Sequence, residues 1–129
     1  MLHPQALRIL VVEDEPEIRQ LLVAALSQEG EVEGAADGQE ALEALVRGPM
    51  PSVILLDLRM PRMSGEDLLR ELERLPSRPP VVTMSACASR APSGSAAHLD
   101  KPFTIGEVVP VLRRVCLEAG FGARVVPDA

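Results

Sequence analysis

The residues of this chain best suited to chemistry stand at the ends of three short apolar runs. The first run ends at Glu13-Asp14, the second at Asp57 and the third at Lys101. Short unbroken apolar runs are typical of buried parallel strands, and ligands of open α/β sheets bind beyond the carboxyl ends of such strands. We therefore expect three carboxylates and one ammonium group to meet at a single site.

Carboxylates gathered in this way favour a bound cation. Two of them about 4 Å apart repel each other by roughly 4 kcal/mol at an effective dielectric constant near 20. Oxygen ligands with open positions suit Mg²⁺, which takes substrate phosphate as a further ligand. Because the chain has no glycine-rich nucleotide loop, a carboxylate is the remaining candidate acceptor, and aspartyl phosphate is a known covalent intermediate. The pattern predicts a phosphoryl-transfer site, with Lys101 and Ser85 facing the transferred group.

Periodicity predicts strands that alternate with helices along the chain. The predicted strands cover residues 7–12, 31–35, 52–57, 80–84 and 97–100. The predicted helices cover 16–29, a short stretch after Asp37, the stretch from Ser64 to Pro76, and the stretch from Thr104 to residue 119. This alternation predicts an α/β fold with a doubly wound five-stranded parallel sheet. The apolar strands 7–12 and 52–57 should lie at its centre and the polar strand 31–35 at an edge.

Capping signals mark the helix starts. An acceptor followed three residues later by an acid occurs as Asp37 with Glu40, Ser64 with Asp67, and Thr104 with Glu107, and this spacing is typical of capped N-termini. Pro16 suits a first helical turn, where its missing N–H costs nothing. Pro110 falls inside the last helix and predicts a kink or an irregular first turn there.

Length and composition indicate one globular domain. We expect this domain to cover residues 7–119, with an N-terminal extension at 1–6 and a tail or linker stub at 120–129. A net charge of −6 argues against nucleic acid as a partner. No apolar run is long enough to span a membrane, and two cysteines in no metal-ligand spacing fit a reducing, cytoplasmic compartment.

Four motifs, read in order along the chain, resemble the receiver domain of two-component response regulators. They are RILVVEDEP at 8–16, LLDLRMPRMSG at 55–65, MSA at 84–86 and LDKPF at 99–103. The resemblance extends over residues 7–119 and implies the flavodoxin-like receiver fold. It also implies a phosphorelay switch in signal transduction, which assists its own phosphorylation and dephosphorylation and is not otherwise an enzyme.

The resemblance assigns the acidic residues to a phosphoacceptor site with a metal ion. Asp57 would be the phosphoacceptor and, with Asp14, a direct ligand of Mg²⁺ or Mn²⁺. Glu13 would hold the metal through water, and Arg59 would contribute its backbone carbonyl. The phosphoryl donor would be a sensor histidine kinase or a phosphotransfer protein, and the signal would pass by contact to a downstream protein target.

Other matched positions receive roles from the same resemblance. Lys101 would contact the phosphoryl oxygens, and Pro102 matches the cis-peptide turn that follows it. Ser85 would be the hydroxyl that moves to the phosphoryl group on activation. Met60-Pro61 and Gly65 match the loop that shapes the exit of the acceptor strand.

The segment 86–96 departs from the family pattern. It is shorter by roughly six residues, which is about 9 Å of helix, and it has Pro92 and no apolar stripe. We expect the fourth helix to be missing or reduced to about one turn before Pro92. His98 stands where receivers usually carry an aromatic switch residue, and it could take that role or be a half-exposed strand-end histidine. Cys87 falls where the family varies residues that tune phosphoryl lifetime.

Two other functions fit parts of the sequence. A receiver-fold binding module would dock constitutively, because the shortened segment 86–96 impairs the switch. A metal-dependent phosphatase with an aspartate nucleophile would need a second acid two residues after Asp57, where this chain has Arg59. The first alternative remains the stronger of the two.

Overall fold

The computed structural model describes residues 3–4, 7–60, 62–86, 92–120 and 123–124. Its strands are β1 (His3–Pro4), β2 (Leu7–Val12), β3 (Gly30–Ala35), β4 (Val53–Asp57), β5 (Val81–Ser85), β6 (Ala97–Asp100) and β7 (Ala123–Arg124). Its helices are α1 (Pro16–Leu26), α2 (Gly38–Arg47), α3 (Gly65–Leu72) and α4 (Ile105–Glu118).

Five of the strands form one parallel sheet in the order β3-β2-β4-β5-β6. The predicted doubly wound sheet is thus confirmed, with β2 and β4 side by side and the polar strand β3 at an edge. Val12 pairs with Leu56 in the register of β2 and β4. The residues that follow Val12 therefore lie level with Asp57, which is the arrangement that the sequence predicts.

Two layers of helices cover the sheet and make two separate cores. Side chains of α1 and α4 pack on one face, around Val11, Leu55 and Met84. Side chains of α2 and α3 pack on the other face, around Ile54 and Leu56. Alternate residues of β4 thus enter opposite cores, and burial on both faces explains why this strand reads as an unbroken apolar run.

The predicted caps are confirmed for two helices and wrong for a third. Asp37 accepts from the Glu40 N–H at the start of α2, and Ser64 and Asp67 form a reciprocal capping box at α3. Thr104 occupies the N-cap position of α4 but makes no side-chain capping hydrogen bond. Backbone bonds from the Glu107 and Val108 N–H groups to the Thr104 carbonyl close that first turn instead.

Two helix ends differ from the sequence-based expectations. Helix α1 ends at Leu26 rather than near Glu29, because Ser27 caps it and Gly30 already pairs with Leu7 in the sheet. Helix α3 ends at Leu72, before Pro76, because its last turn tightens to hydrogen bonds between residues three apart. Pro110 lies inside α4, in its second turn, as expected, and the kink expected there stays a prediction.

The chain ends and the link before β6 complete the fold. Strands β1 and β7 form a two-residue antiparallel pair, which the sequence did not predict. Between β5 and β6, the described residues 86 and 92–96 contain no helix. The single turn that we expect before Pro92, and Cys87 with it, fall outside the described residues.

Among the described helices, none has the length and apolar composition needed to cross a bilayer.

Candidate functional site

The three carboxylates named from the sequence meet at the ends of β2 and β4. One oxygen from each of Glu13, Asp14 and Asp57 lies within 4.8 Å of the others. Glu13 is fully buried and Asp57 is nearly so, whereas Asp14 is partly exposed. The Glu13 N–H donates to the Ala35 carbonyl of β3 at 3.0 Å, so sheet hydrogen bonding continues one residue beyond β2 and fixes the backbone of Glu13.

Lys101 reaches the same cluster from the end of β6. Its N–H donates to the Ser85 carbonyl at 2.7 Å, and the peptide bond to Pro102 is cis, as the resemblance implied. The Lys101 Nζ lies 2.9 Å from Glu13 Oε1 and 3.5 Å from Asp57 Oδ2. Lys101 is the only lysine in the chain.

The surroundings of Lys101 keep its ammonium group charged. Burial by itself lowers the pKa of Lys101, but the hydrogen bond to Glu13 and the negative charges of Asp57 and Glu13 outweigh it. The pKa of Lys101 therefore lies above its usual value. One full positive charge thus faces the carboxylates at neutral pH.

The loop after β4 is held against the end of that strand by backbone hydrogen bonds. The Arg59 N–H donates to Asp57 Oδ1 at 3.1 Å, and the Gly65 N–H donates to the Leu58 carbonyl at 3.2 Å. A Cβ atom at position 65 would lie 2.7 Å from Leu58 Cα and 3.0 Å from the Asp57 carbonyl oxygen. Only glycine fits this approach, which explains the Gly65 that the sequence singles out. Met60 packs against the core under α2 and α3.

Arg19 is a neighbour of the site that the sequence analysis missed. From the first turns of α1 its guanidinium donates to the Glu13 carbonyl at 2.9 Å and contacts the Asp14 carbonyl at 3.5 Å. The Glu15 N–H also lies 3.3 Å from Glu13 Oε2. These contacts hold the turn between β2 and α1. The available signal was a basic residue on the polar side of α1, five residues after the acid pair, which is too common to stand out.

Ser85 and His98 lie together on the sheet beside the cluster. Ser85 is buried, and its Oγ is 3.2 Å from His98 Nε2. The other ring nitrogen, Nδ1, is 2.6 Å from Thr83 Oγ1, and Nε2 is also 3.5 Å from Asp100 Oδ1. The His98 side chain is only 12% exposed. His98 is therefore contacted at both ring nitrogens. Its side chain is also less exposed than the half-exposed strand-end histidine that the sequence left as an alternative.

The donor set of the cluster fits a small divalent cation. Three carboxylates face a single ammonium group, so the pocket carries excess negative charge where Glu13 and Asp57 are shielded from water. Hard oxygen ligands with one side open are the donors that Mg²⁺ and Mn²⁺ accept. Of the residues predicted from the sequence, the structure brings together Glu13, Asp14, Asp57 and Lys101, with Arg59 and Ser85 adjacent. Pro61 lies outside the described residues.

Comparison with known proteins identifies the family. A family model described as the response regulator receiver domain matches residues 9–113. The match covers most of the chain, which therefore belongs to the receiver domains of two-component response regulators. Signal transduction through a two-component system follows from that membership.

Relatives of established name support this assignment. The chain is 36% identical over 115 residues to the transcriptional regulatory protein PdtaR of Mycobacterium tuberculosis, covering 81% of this chain and 54% of that protein. It is 34% identical over 114 residues to the regulatory protein AtoC of Escherichia coli, covering 83% of this chain and 24% of that protein. The chain thus spans about half the length of PdtaR.

Solved structures of receiver domains superpose on the fold. The receiver domain of Francisella response regulator 1452 matches with a TM-score of 0.79 and 29% identity, covering 88% of this chain and 98% of that one. The response regulator TrrA from Thermotoga maritima, solved in complex with Mg²⁺ and BeF, matches with a TM-score of 0.75 and 30% identity. That comparison covers 84% of this chain and 97% of TrrA.

Proposed function

We propose that Asp57 accepts a phosphoryl group from a phosphohistidine of a sensor kinase or phosphotransfer protein, with Mg²⁺ or Mn²⁺ as cofactor. The observation that supports this most directly is that the buried carboxylate of Asp57 lies close to two other carboxylates and 3.5 Å from an ammonium group. A strand-end carboxylate in that setting is oriented, desolvated and paired with a countercharge. These are the requirements for a nucleophile in phosphoryl transfer.

The reaction moves the phosphoryl group between two side chains. The P–N bond of the donor phosphohistidine breaks, and a P–O bond forms to the carboxylate of Asp57. Lys101 is close enough to neutralise charge on the phosphoryl oxygens, because its Nζ already lies 3.5 Å from Asp57 Oδ2. The Arg59 N–H fixes the rotation of the carboxylate by holding its other oxygen.

The metal ion would be held by the acidic residues around the acceptor. Asp14 and Asp57 would be direct ligands together with the Arg59 carbonyl, and Glu13 would act through water. A bound Mg²⁺ supplies positive charge to the phosphoryl oxygens during transfer. Arg19 supports this set by holding the carbonyls of Glu13 and Asp14.

The output of the site follows from the hydroxyl of Ser85. We infer that Ser85 turns toward a phosphoryl group on Asp57 and leaves His98, whose ring then changes position. A downstream protein would recognise the resulting surface at β6 and residues 92–96. The signal would pass by protein contact, without nucleic acid or membrane as a partner of this domain.

Loading of Asp57 can be tested without knowing the kinase. The chain is incubated with acetyl phosphate and Mg²⁺, and intact-mass spectrometry should show one added phosphoryl group that is stable in acid and labile in base. Asp57→Asn should remove it. Asp100→Asn is the matched control, because Asp100 is an exposed carboxylate near the same end of the sheet. Phosphorylation that persists in Asp57→Asn would overturn the proposal.

A constitutive binding module is the alternative that the short link between β5 and β6 favours. Beryllofluoride with Mg²⁺ imitates a phosphoryl group and distinguishes the two functions. For a switch, amide NMR signals of β6 and of residues 92–96 should shift along with those of the pocket. Shifts confined to the residues around Asp57 would support the constitutive module instead.

A further inference from the structure

The loop between Asp57 and α3 contacts the N-cap residue of α2, Asp37, and the first residue of that helix, Gly38. The Arg62 guanidinium forms an ion pair with the Asp37 carboxylate. Next to it, Met63 packs on Gly38 so closely that a Cβ atom there would lie 2.7 Å from its side chain. Two consecutive loop residues thus contact two consecutive residues at the start of α2.

The backbone at Arg62, where the contact to Asp37 is made, has an unusual conformation. Arg62 has a φ of +60°, and it is the only residue other than glycine with a positive φ in the described part of the chain. Arginine is disfavoured relative to glycine or asparagine in this left-handed region. In this conformation the Arg62 guanidinium reaches the carboxylate of Asp37.

Asp37 is a fixed anchor for the arginine. Its side chain is only 5% exposed, and Oδ1 accepts from the Glu40 N–H at 2.9 Å, capping α2. The hydrogen bond and charge of Arg62, together with the backbone cap, hold the pKa of Asp37 below its usual value. The carboxylate therefore stays charged over the neutral range and keeps its partner.

Arg62 is close in the sequence to the acidic pocket. Three residues before Arg62, the Arg59 N–H holds Asp57 Oδ1. At the far end, Gly65 closes the loop on Leu58, while Met60 and Met63 pack against the core under α2 and α3. The ion pair is a polar contact that ties this loop to a different element of the fold.

We propose that Arg62 is a positioning residue for the cation site, and that its ion pair with Asp37 sets the orientation of the Arg59 carbonyl and hence the affinity for Mg²⁺. This inference rests on the proposed function, because it assumes that the acidic pocket binds the cation. It assigns to Arg62 and Asp37 an effect on a site that neither residue touches.

The decisive comparison is the Mg²⁺ affinity of Arg62→Asn against that of the unchanged chain. Asparagine tolerates a left-handed backbone but is too short to reach Asp37. Titration by isothermal calorimetry should show affinity for Mg²⁺ weakened about tenfold, which is the lower limit of what residues supporting metal ligands contribute. Arg62→Lys keeps the charge and should restore most of the affinity.

A double-variant cycle separates positioning from general stability. Asp37→Asn keeps an N-cap acceptor for α2 and removes only the ionic partner, so it should weaken Mg²⁺ binding to the same degree. The double variant should be no weaker than either single one. Arg70→Ala is the control, because Arg70 pairs with Asp67 on the exposed side of α3 and should leave the affinity unchanged.

Two outcomes would contradict the inference in distinguishable ways. Equal Mg²⁺ affinity in Arg62→Asn and the unchanged chain would overturn the positioning role and leave the proposed function standing. No measurable Mg²⁺ binding by the unchanged chain would overturn the proposed cation site and the inference with it. Faster amide hydrogen exchange at Arg59 in Arg62→Asn, measured in metal-free protein, should accompany the loss of affinity.

Discussion

The acidic pocket and the edge formed by β5 and β6 belong to one sheet, but they are held in different ways. In the pocket, carboxylates at strand ends meet an ammonium group and backbone N–H groups, and helices cover the strands on both faces. At the edge, Thr83, Ser85 and His98 hold one another. Ser95 in the link joins them, with its Oγ 3.3 Å from Thr83 Oγ1 and 2.8 Å from the Pro92 carbonyl.

The difference separates fixed groups from groups that can exchange partners. A carboxylate in the pocket is placed by the packing of its strand, and any movement must disturb a core that tolerates little change in volume. A hydroxyl or an imidazole can both donate and accept a hydrogen bond. The hydroxyl and imidazole groups at the edge can therefore exchange one hydrogen-bond partner for another with little change in free energy. The same sheet thus holds firmly placed carboxylates next to hydroxyl and imidazole groups whose hydrogen bonds can rearrange.

Removing the countercharge is the strongest way to disturb the pocket. Lys101→Met leaves Glu13 and Asp57 without a cation, and we expect the metal-free protein to lose about 2–3 kcal/mol in free energy of unfolding. That is less than the 3–5 kcal/mol typical of a fully buried pair, because Lys101 keeps some exposure. Urea denaturation in the absence of divalent cations measures the loss.

Lys101→Arg is the control for this change. It keeps the charge and should retain more than half of the lost stability, although the guanidinium has a different shape. A stability of Lys101→Met equal to that of the unchanged chain would show that the carboxylates do not depend on the ammonium group. The pocket would then be less different from the edge than its contacts indicate.

Crowding the end of β4 should have the next largest effect. Gly65→Ala places a Cβ atom 2.7 Å from Leu58 Cα, so backbone must move, and we expect a loss of about 2 kcal/mol. Because the displaced residue follows Asp57, phosphorylation by acetyl phosphate should also slow. Thermal unfolding and intact-mass time courses measure the two effects.

Gly106→Ala is the matched control for a glycine in a helix. A Cβ atom there would meet only Thr104 Oγ1, at 3.7 Å, so alanine should raise stability slightly through its better helix propensity. If Gly65→Ala behaved like Gly106→Ala, the close approach at the end of β4 would not constrain the pocket.

The smallest expected effect comes from the edge. Thr83→Val keeps the shape of the side chain but removes the hydroxyl that faces His98 Nδ1, and the cost should be about 1 kcal/mol. The ¹⁵N shifts of the His98 imidazole should change, whereas Thr83→Ser should preserve them. A loss as large as that in Lys101→Met would mean that the edge is as rigid as the pocket.

The sequence predicted the parts of the molecule that depend on local pattern. Unbroken apolar runs predicted the central strands, and because parallel strands end at one edge of the sheet, they also predicted the meeting of Asp14, Asp57 and Lys101. Acceptors three residues before an acid predicted the caps at Asp37 and Ser64. The capping signals lay within a few residues of the caps that they predicted, whereas the meeting of the three charged residues followed from the shared direction of the parallel strands.

Side-chain contacts between residues far apart in the sequence could not be predicted, except where the direction of the strands implies them. The pair between Arg62 and Asp37 joins residues 25 positions apart, and no rule assigns a left-handed backbone to an arginine. The hydrogen bonds of Arg19 depend on the turn between β2 and α1. The side chain of Thr104 has the chemistry of a cap and stands at the N-cap position, yet it makes no capping hydrogen bond.

The single lysine of this chain gives the pocket a natural spectroscopic label. With arginine at all the other Lys/Arg positions, protein grown with ¹⁵N-labelled lysine would carry one labelled side-chain amine, within hydrogen-bond distance of Glu13 and Asp57 in the acidic pocket. Hydrogen exchange and chemical shift of that ammonium group would report directly on what occupies the space beside Asp57. The state of the site could then be followed without an added probe.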